Sequence, residues 1–240
     1  MPSFLSLKRA RTGWKPVSLT SRDGRWNRWS SDCQHARIVS PADADSQPDD
    51  DWDVGDVPAD RSIRAEYERL GPAVYYRLHG PAYRNPHEAS VAEALRRAVG
   101  RWRPDLSRVL DLAAGSGEAT LALRTLGAGA IYGIDPFTHA AYARRTGSPA
   151  ERFTFEDVAA GALAGRRYSL VVCSFAMHLC DPSRLPGLAT QLALVAPALW
   201  VVTPHKRPHL LPGWGWTVEA EMVVERVRVR GHRSTMTFNE

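Results

Sequence analysis

The chain has 240 residues, of which 44% are hydrophobic and 24% are charged, and its formal net charge is +5. The length favours one domain with an added segment, and the composition excludes a collagen, a wholly disordered chain and a multi-span membrane protein. Cys33, Cys173 and Cys180 are too few for a disulfide framework and fit a reducing compartment. Their spacing matches no metal-binding motif, so no metal site is expected.

The first 60 residues differ in composition from the rest. Residues 1–31 carry seven Lys or Arg and a single acid, Asp23, whereas residues 42–60 carry eight Asp and no base. Such a segment has too little apolar surface to offset its ordering entropy, so we expect a disordered tail over residues 1–60 and a domain over 61–240. The basic start also has the composition of a transit peptide, so organelle targeting is the alternative to the expected cytoplasmic location.

Residues 61–240 alternate between helix and strand patterns. Helices are predicted over residues 62–70, 86–101, 118–126, a short segment around Tyr142, and 185–194, with an aromatic and polar loop from Tyr75 to Glu88. Strands are predicted over residues 108–112, 130–135, 153–155, 168–174, 198–203 and 221–230, with one more over 232–238. Strands separated by helices indicate a doubly wound, Rossmann-like α/β fold with a mostly parallel sheet, and the late alternating strands indicate an antiparallel edge.

The first strand ends in a glycine-containing turn that precedes a helix. Its sequence runs Asp111-Leu-Ala113-Ala-Gly115-Ser-Gly117. Glycines let a backbone approach a ligand closely, and the following helix points its N–H groups at that ligand. The spacing is tighter than the GxGxxG of dinucleotide sites. A carboxylate at Asp111 would repel a pyrophosphate, which argues against a nicotinamide oxidoreductase and favours a cationic ligand.

Further acids follow the next two predicted strands. Asp135 ends the second strand, where a carboxylate can accept hydrogen bonds from ribose hydroxyls, although a helix N-cap is the alternative role. Glu156 and Asp157 follow the third strand, where they are placed to meet an adenine amino group. Strand-end acids combined with one glycine turn suit an adenosine that carries a positive centre, which indicates S-adenosylmethionine.

Four segments, VLDLAAGSGEATLAL, IYGID, FTFEDV and YSLVVCSFAMHL, resemble a class I S-adenosylmethionine-dependent methyltransferase. The segments YYRLHG…YRNPHE and TPHKRPHL are also similar to uncharacterised fungal and bacterial members of this superfamily. The resemblance covers about residues 66–238 and implies a seven-stranded sheet of order 3-2-1-4-5-7-6 with the seventh strand antiparallel. It implies cofactor contacts at Asp111, Ala113, Gly115, Gly117, Asp135, Asp157 and Cys173. Ala113 stands where the family often has glycine, and its methyl group narrows the loop slightly.

The methyl acceptor is expected to be a small molecule, because only segments 71–90 and 204–217 remain to shape a second pocket. Its candidate binding residues are aromatic or basic: Tyr76, Tyr83, Arg84, Lys206 and Arg207, with Trp214 and Trp216 as further walls. His178 follows the fourth strand and is the candidate general base for a hydroxyl acceptor.

The alternatives are an RNA or protein methyltransferase and a non-catalytic partner subunit that keeps the fold. The net charge of +7 over residues 61–240 supports a nucleic-acid partner. Against it stand the missing RNA-binding module and the absence of a [DN]PP[YF] tetrad, which in similar enzymes holds an adenine or glutamine amide nitrogen. No membrane partner is expected.

Overall fold

The computed structural model describes residues 69–238. The predicted tail, and all but the end of the helix predicted over residues 62–70, lie outside the described residues. Within the described range, no helix combines the length and the apolar character needed to cross a bilayer.

The described residues form a seven-stranded sheet flanked by helices. The helices are α1 (Pro72–His79), α2 (Glu88–Trp102), α3 (Glu118–Thr125), α4 (His139–Thr146), α5 (Phe155–Ala159) and α6 (Leu185–Val195). The strands are β1 (Arg108–Leu112), β2 (Ala130–Ile134), β3 (Ala150–Glu151), β4 (Leu170–Ser174), β5 (Ala198–Thr203), β6 (Trp216–Val224) and β7 (Val227–Ser234). The order is β3-β2-β1-β4-β5-β7-β6, and β7 runs antiparallel to both β5 and β6, which confirms the predicted topology.

The core lies in two layers, one on each face of the sheet. On one face α2 and α3 pack against the sheet, and Val91, Leu95 and Ala98 of α2 are fully buried there. The three residues recur at helical spacing, so burying this single stripe holds α2 in place. On the other face α6 buries Leu188 and Leu192 against the sheet, and β4 contributes to both layers. Burial on both faces explains the continuous apolar sequence of β4.

The parallel strands bring the ends of β1, β2 and β4 to one edge of the sheet. In the β1–β2 pairing Leu112 lies opposite Ile134, and in the β1–β4 pairing Asp111 lies opposite Val172. Ligands of open α/β sheets bind at this carboxyl edge, where the chain crosses from one face to the other. The glycine turn after β1 and Asp135 after β2 are therefore neighbours.

Two predictions for the first half of the domain are wrong. The segment predicted as a loop from Tyr75 contains helix α1, on which Tyr75 and His79 pack with ring centroids 4.8 Å apart. The strand predicted over residues 153–155 is replaced by β3 at Ala150–Glu151. Thr154 instead caps α5 by accepting a hydrogen bond from the N–H of Asp157, and this capping box starts the helix where extended chain was expected.

The strand predicted over residues 221–230 is also wrong, because the chain reverses within it. Strands β6 and β7 form a hairpin that turns at Glu225 and Arg226, which both have positive φ values, 49° and 68°. Two-residue hairpin turns of this kind usually carry Asn or Gly, so the sequence gives no turn signal here. The last predicted strand, over residues 232–238, is wrong as well, since β7 ends at Ser234.

Candidate active site

A cavity of about 190 Å³ lies at the carboxyl edge of β1, β2 and β4. Its floor comes from the ends of these strands, and its roof comes from the segment before α2. The lining residues are Tyr76, Tyr83, Asn85, Leu112, Ala113, Ala114, Gly115, Glu118, Asp135, Pro136, Phe137, Phe153, Thr154, Phe155, Glu156, Ser174, Phe175, Ala176 and Leu179. The cavity therefore brings together the glycine turn, Asp135 and the residues that follow β4.

The glycine turn uses left-handed backbone at three positions, Ala113 (φ 54°), Gly115 (φ 58°) and Gly117 (φ 91°). A Cβ at Gly115 would lie 3.1 Å from Glu118 Oε2 and 3.5 Å from the Tyr83 ring, so this glycine keeps the cavity open. A Cβ at Gly117 would lie 2.4 Å from a methyl carbon of Thr146 and does not face the cavity. Gly117 is thus a packing glycine, whereas Gly115 and Ala113 line the cavity.

Asp135 lines the cavity and also fixes the local backbone. Its Oδ2 accepts a 3.1 Å hydrogen bond from the N–H of Gly115. Its Oδ1 accepts hydrogen bonds from the N–H groups of Phe137 (2.9 Å) and Thr138 (2.7 Å), ahead of α4. A carboxylate has about four acceptor positions, so three are used by the fold and one remains for a ligand hydroxyl.

Asp111 lies beneath the glycine turn and does not line the cavity. It is fully buried, and its Oδ2 accepts hydrogen bonds from the N–H (3.1 Å) and the hydroxyl (2.6 Å) of Thr120. Its Oδ1 has no partner among the described residues. Burial, with smaller contributions from the nearby carboxylates of Glu118 and Asp135, raises the pKa of Asp111 to about 7. Asp111 therefore holds the start of α3 under the turn.

Glu118, the first residue of α3, is a cavity residue that the sequence analysis did not single out. It is only 4% exposed. Its Oε1 accepts hydrogen bonds from the N–H of Asn85 (3.1 Å), from Arg145 (3.0 Å) and from the hydroxyl of Ser116. Arg145 also pairs with Glu88 of α2. These contacts join the glycine turn to the segment before α2. The only feature of the sequence that could have indicated this role of Glu118 is its position directly after the turn.

The roof of the cavity consists of aromatic side chains. Tyr76 packs edge-on against Tyr83, with ring centroids 5.1 Å apart, and stacks on Phe137 at 6.4 Å. Burial raises the pKa of Tyr83, so this phenol stays protonated at all physiological pH values. Arg144 of α4 donates to the carbonyl of Pro81, which ties the roof to the rest of the domain.

The acid nearest the cavity after β3 is Glu156, not Asp157. Glu156 and its neighbours Thr154 and Phe155 line the cavity. The carboxylate of Asp157 accepts hydrogen bonds from the N–H (2.9 Å) and the hydroxyl (3.1 Å) of Thr154 and completes the capping box of α5. The structure thus places Asp157 beside the cavity with its carboxylate engaged in the cap.

The segment after β4 forms the far wall of the cavity. Ser174, Phe175 and Ala176 line it, whereas Cys173 is fully buried in the core and does not. Phe175 has a φ of 54°, which is rare for a bulky residue and is stabilised by its N–H bond of 2.7 Å to the carbonyl of Val202. The His87 ring stacks on Phe175 at 5.4 Å, so the roof segment reaches this wall too.

His178 lies at the same edge of the sheet but is not part of the cavity lining. Its ring packs on that of His205, which follows β5, with centroids 4.5 Å apart. Although part of the His178 surface stays exposed, the loss of surrounding water and, to a smaller extent, the neighbouring His205 together lower its pKa to about 4. His178 is therefore neutral, and a weak base, at pH 7.

The basic candidates Arg84, Lys206 and Arg207 are exposed and do not line the cavity. Arg84 pairs with Glu88 at 3.3 Å and borders an open depression at the start of α2, which Asn85 lines as well. The loop that carries Lys206 is anchored by Arg230, which donates to its carbonyl at 3.0 Å.

Neither proposed tryptophan wall borders the cavity. Trp216 is fully buried and donates its indole N–H to the carbonyl of Ala189 at 2.8 Å, so it is a core residue. Trp214 is partly buried and packs on the same core layer. Across the part of the chain that the structure describes, His, Cys, Asp and Glu side chains form no group of three or more that could hold a metal ion.

Comparison with known proteins agrees with this geometry. Residues 109–197 match the family model of a methyltransferase domain. An uncharacterised protein of Schizosaccharomyces pombe is 31% identical over 228 aligned residues, which cover 72% of this chain and 92% of the relative.

Solved structures are similar to this chain at low sequence identity. The PH0226 protein of Pyrococcus horikoshii is 16% identical with a TM-score of 0.51, and the match covers 71% of this chain and 99% of that protein. Magnesium protoporphyrin IX methyltransferase of Synechocystis is 14% identical with a TM-score of 0.48, over 72% of this chain and 96% of the enzyme. The family match, the relative and the fold together show that this chain belongs to the class I S-adenosylmethionine-dependent methyltransferases.

Proposed function

We propose that this protein transfers the methyl group of S-adenosylmethionine to a small-molecule acceptor by in-line displacement. One observation carries the proposal: the glycine turn after β1 and the acid after β2 line a single cavity at the carboxyl edge of the sheet. The bound cofactor would supply a methyl group already activated by its sulfonium, so the protein's part is to bind, orient and exclude water.

The residues of the cavity suit the parts of this cofactor. Asp135 retains an acceptor position for a ribose hydroxyl, and Gly115 leaves room above the turn for close approach. Phe153 and Phe155 provide flat apolar surface for a base, with the carboxylate of Glu156 at its edge. Ser174 and Phe175 border the side at which an acceptor would meet the methyl group.

The aromatic roof over the cavity supports a compact acceptor. At about 190 Å³ the cavity is smaller than the roughly 300–1,000 Å³ of typical ligand sites, because the aromatic roof of Tyr76 and Tyr83 lies close over the turn. Binding therefore requires the roof segment to move outwards. A roof that closes over the site and stacks His87 on Phe175 suits a small acceptor better than a nucleic-acid strand.

On the acceptor side, the candidate base is a histidine rather than one of the carboxylates of the cavity. The carboxylates of Glu118 and Asp135 already accept several hydrogen bonds from the fold. His178 is neutral at pH 7 and lies next to the cavity residue Leu179, so we propose it as the base for an acceptor hydroxyl at the cavity mouth. Arg84, Lys206 and Arg207 are proposed to attract an anionic group of the acceptor from outside the cavity.

The experiment that tests this proposal is incubation of the full chain with methyl-labelled S-adenosylmethionine and three separate pools: small metabolites, RNA and protein. We expect label in the metabolite pool alone. Label in RNA or protein would replace the proposed acceptor class while keeping the reaction. Cofactor binding without label in any pool would favour a non-catalytic partner subunit.

A further inference from the structure

Asn85 presents two hydrogen-bond donors at the roof of the cavity. The residue is 8% exposed, and its backbone N–H donates to Glu118 Oε1 at 3.1 Å. Its side-chain oxygen accepts a 2.9 Å hydrogen bond from the N–H of His87. Because a backbone N–H can only donate, this bond fixes which end of the carboxamide is oxygen. The carboxamide nitrogen is left without a partner among the described residues, and Asn85 lines the cavity.

Glu118 also lines the cavity and presents a carboxylate oxygen there. Every hydrogen bond and ion pair that it accepts from described residues ends on Oε1. Oε2 lies over the turn, 3.1 Å from the place where a Cβ of Gly115 would be. The two side chains are joined through the Asn85 N–H, although they are 33 residues apart in sequence.

An anionic oxygen and an amide with two N–H donors in the lining of one cavity are complementary to the zwitterion of an α-amino acid. The ammonium group is attracted to the carboxylate, and the carboxylate of the ligand accepts from the amide. We propose that Glu118 Oε2 binds the α-ammonium and Asn85 Nδ2 the α-carboxylate of the methionine part of the cofactor. This assignment rests on the proposed function, and it gives the roof segment a direct part in recognising the cofactor.

The amide donors could also serve an oxygen of the methyl acceptor, and binding measurements separate these two ligands. S-adenosylhomocysteine carries the amino-acid group, whereas 5′-deoxy-5′-methylthioadenosine has the same adenosine and sulfur without it. Residues that hold the amino-acid end must affect the first compound and spare the second. Neither measurement needs turnover or an identified acceptor.

The variants are chosen to keep the structural contacts. Asn85→Asp retains the oxygen that accepts from His87 but replaces the amide donor by a second carboxylate oxygen. Asn85→Ser removes the amide without adding charge. Its hydroxyl can still accept a hydrogen bond from the N–H two residues on, so the structural contact is kept. Glu118→Gln keeps an oxygen for the Oε1 contacts and removes the negative charge. Glu93→Gln is the matched control, since Glu93 pairs with Arg96 and Arg97 on α2 outside the cavity.

Calorimetric titration of each full-length variant, with folding checked by circular dichroism, gives the answer. We expect the three cavity variants to bind S-adenosylhomocysteine about 10- to 100-fold more weakly, since each loses a charge-assisted hydrogen bond. Binding of methylthioadenosine should change by less than about twofold, and Glu93→Gln should match the wild type for both compounds.

Two results would overturn this inference and leave the proposed function standing. Equal losses for both compounds would show that Asn85 and Glu118 only shape the pocket. Unchanged binding of S-adenosylhomocysteine in the folded Asn85 and Glu118 variants would show that neither residue holds the amino-acid end of the cofactor. Failure of the wild type to bind either compound would instead defeat the proposed function itself.

Discussion

The carboxylate of Asp135 accepts a hydrogen bond of 3.1 Å from the backbone N–H of Gly115. This contact ties the end of β2 to the turn after β1, so the two features that define the site also hold each other in place. A ligand bound to Asp135 therefore meets a carboxylate whose orientation is fixed before binding, which reduces the entropy cost of association.

Replacement of Asp135 by alanine should affect both binding and stability. The variant loses three hydrogen bonds from backbone N–H groups, and we expect the free energy of unfolding to fall by roughly 2–3 kcal/mol. Affinity for S-adenosylhomocysteine should fall about 10- to 100-fold through loss of the ribose contact. Chemical denaturation and calorimetry measure the two effects. A destabilised variant with wild-type affinity would remove Asp135 from the cofactor site.

The two glycines of the turn should respond differently to substitution by alanine. Gly115→Ala adds strain at a left-handed position and places a methyl group in the cavity, so it should weaken binding of S-adenosylhomocysteine as well as lower stability modestly. Gly117→Ala meets Thr146 at 2.4 Å on strained backbone and should mainly lower the free energy of unfolding, by about 2–3 kcal/mol. Comparing melting temperature with affinity for both variants separates these effects, and the reverse pattern would mean that their roles are exchanged.

Either of two adjacent acids, Glu156 or Asp157, could be the one that contacts the cofactor. We expect Glu156→Gln to weaken S-adenosylhomocysteine binding, because Glu156 lines the cavity. Asp157→Asn should lower the free energy of unfolding by about 0.5–2 kcal/mol through the weakened capping box, with affinity unchanged. If Asp157→Asn weakens binding and Glu156→Gln does not, the assignment made from the sequence is correct.

The raised pKa of Asp111 predicts that the stability of the fold depends on pH. Its pKa in the folded protein is about 7, above its usual value, because the carboxyl is fully buried. The folded state therefore binds more protons than the unfolded state between about pH 4 and pH 7, so the stability contributed by protonated Asp111 is lost as pH rises through this range. The free energy of unfolding of the wild type should fall relative to that of Asp111→Asn as the pH rises from 4.5 to 7.5. Parallel curves for the two proteins would show that Asp111 does not titrate there.

The proposed role of His178 as a base can be tested by the turnover rate and by its dependence on pH. If it is the base for an acceptor hydroxyl, His178→Ala should lower turnover by about 10²-fold without changing cofactor affinity. His205→Ala removes the neighbouring ring that lowers the pKa of His178, so the acid limb of the rate profile should move to higher pH. A wild-type rate in His178→Ala would leave positioning as the whole mechanism.

Local patterns were sufficient to predict the centre of the fold. Strands β1 and β5 were predicted with their observed bounds, because each has an apolar run next to a clear terminator. The glycine turn and Asp135 were found for the same reason, since their roles follow from a position at the end of a strand.

The remaining parts depend on contacts that sequence patterns do not show. Asn85 and Glu118 meet across 33 residues, and nothing near either residue indicates this pairing. Asp157 was placed after a strand, but its bond to Thr154 starts a helix instead. The β6–β7 turn has Glu225 and Arg226 in left-handed backbone, a conformation that pairing between the flanking strands stabilises without Gly or Asn.

The central claim is that the cavity at the ends of β1 and β2 binds the cofactor of this family. Its most direct test is calorimetric titration of the full-length protein with S-adenosylhomocysteine, beside the variant Gly115→Val. We predict saturable binding at one site in the wild type and its loss in the variant, because the larger side chain fills the space between Glu118 and Tyr83. A folded wild-type protein that gives no saturable binding, or a variant that binds as tightly, would contradict the claim.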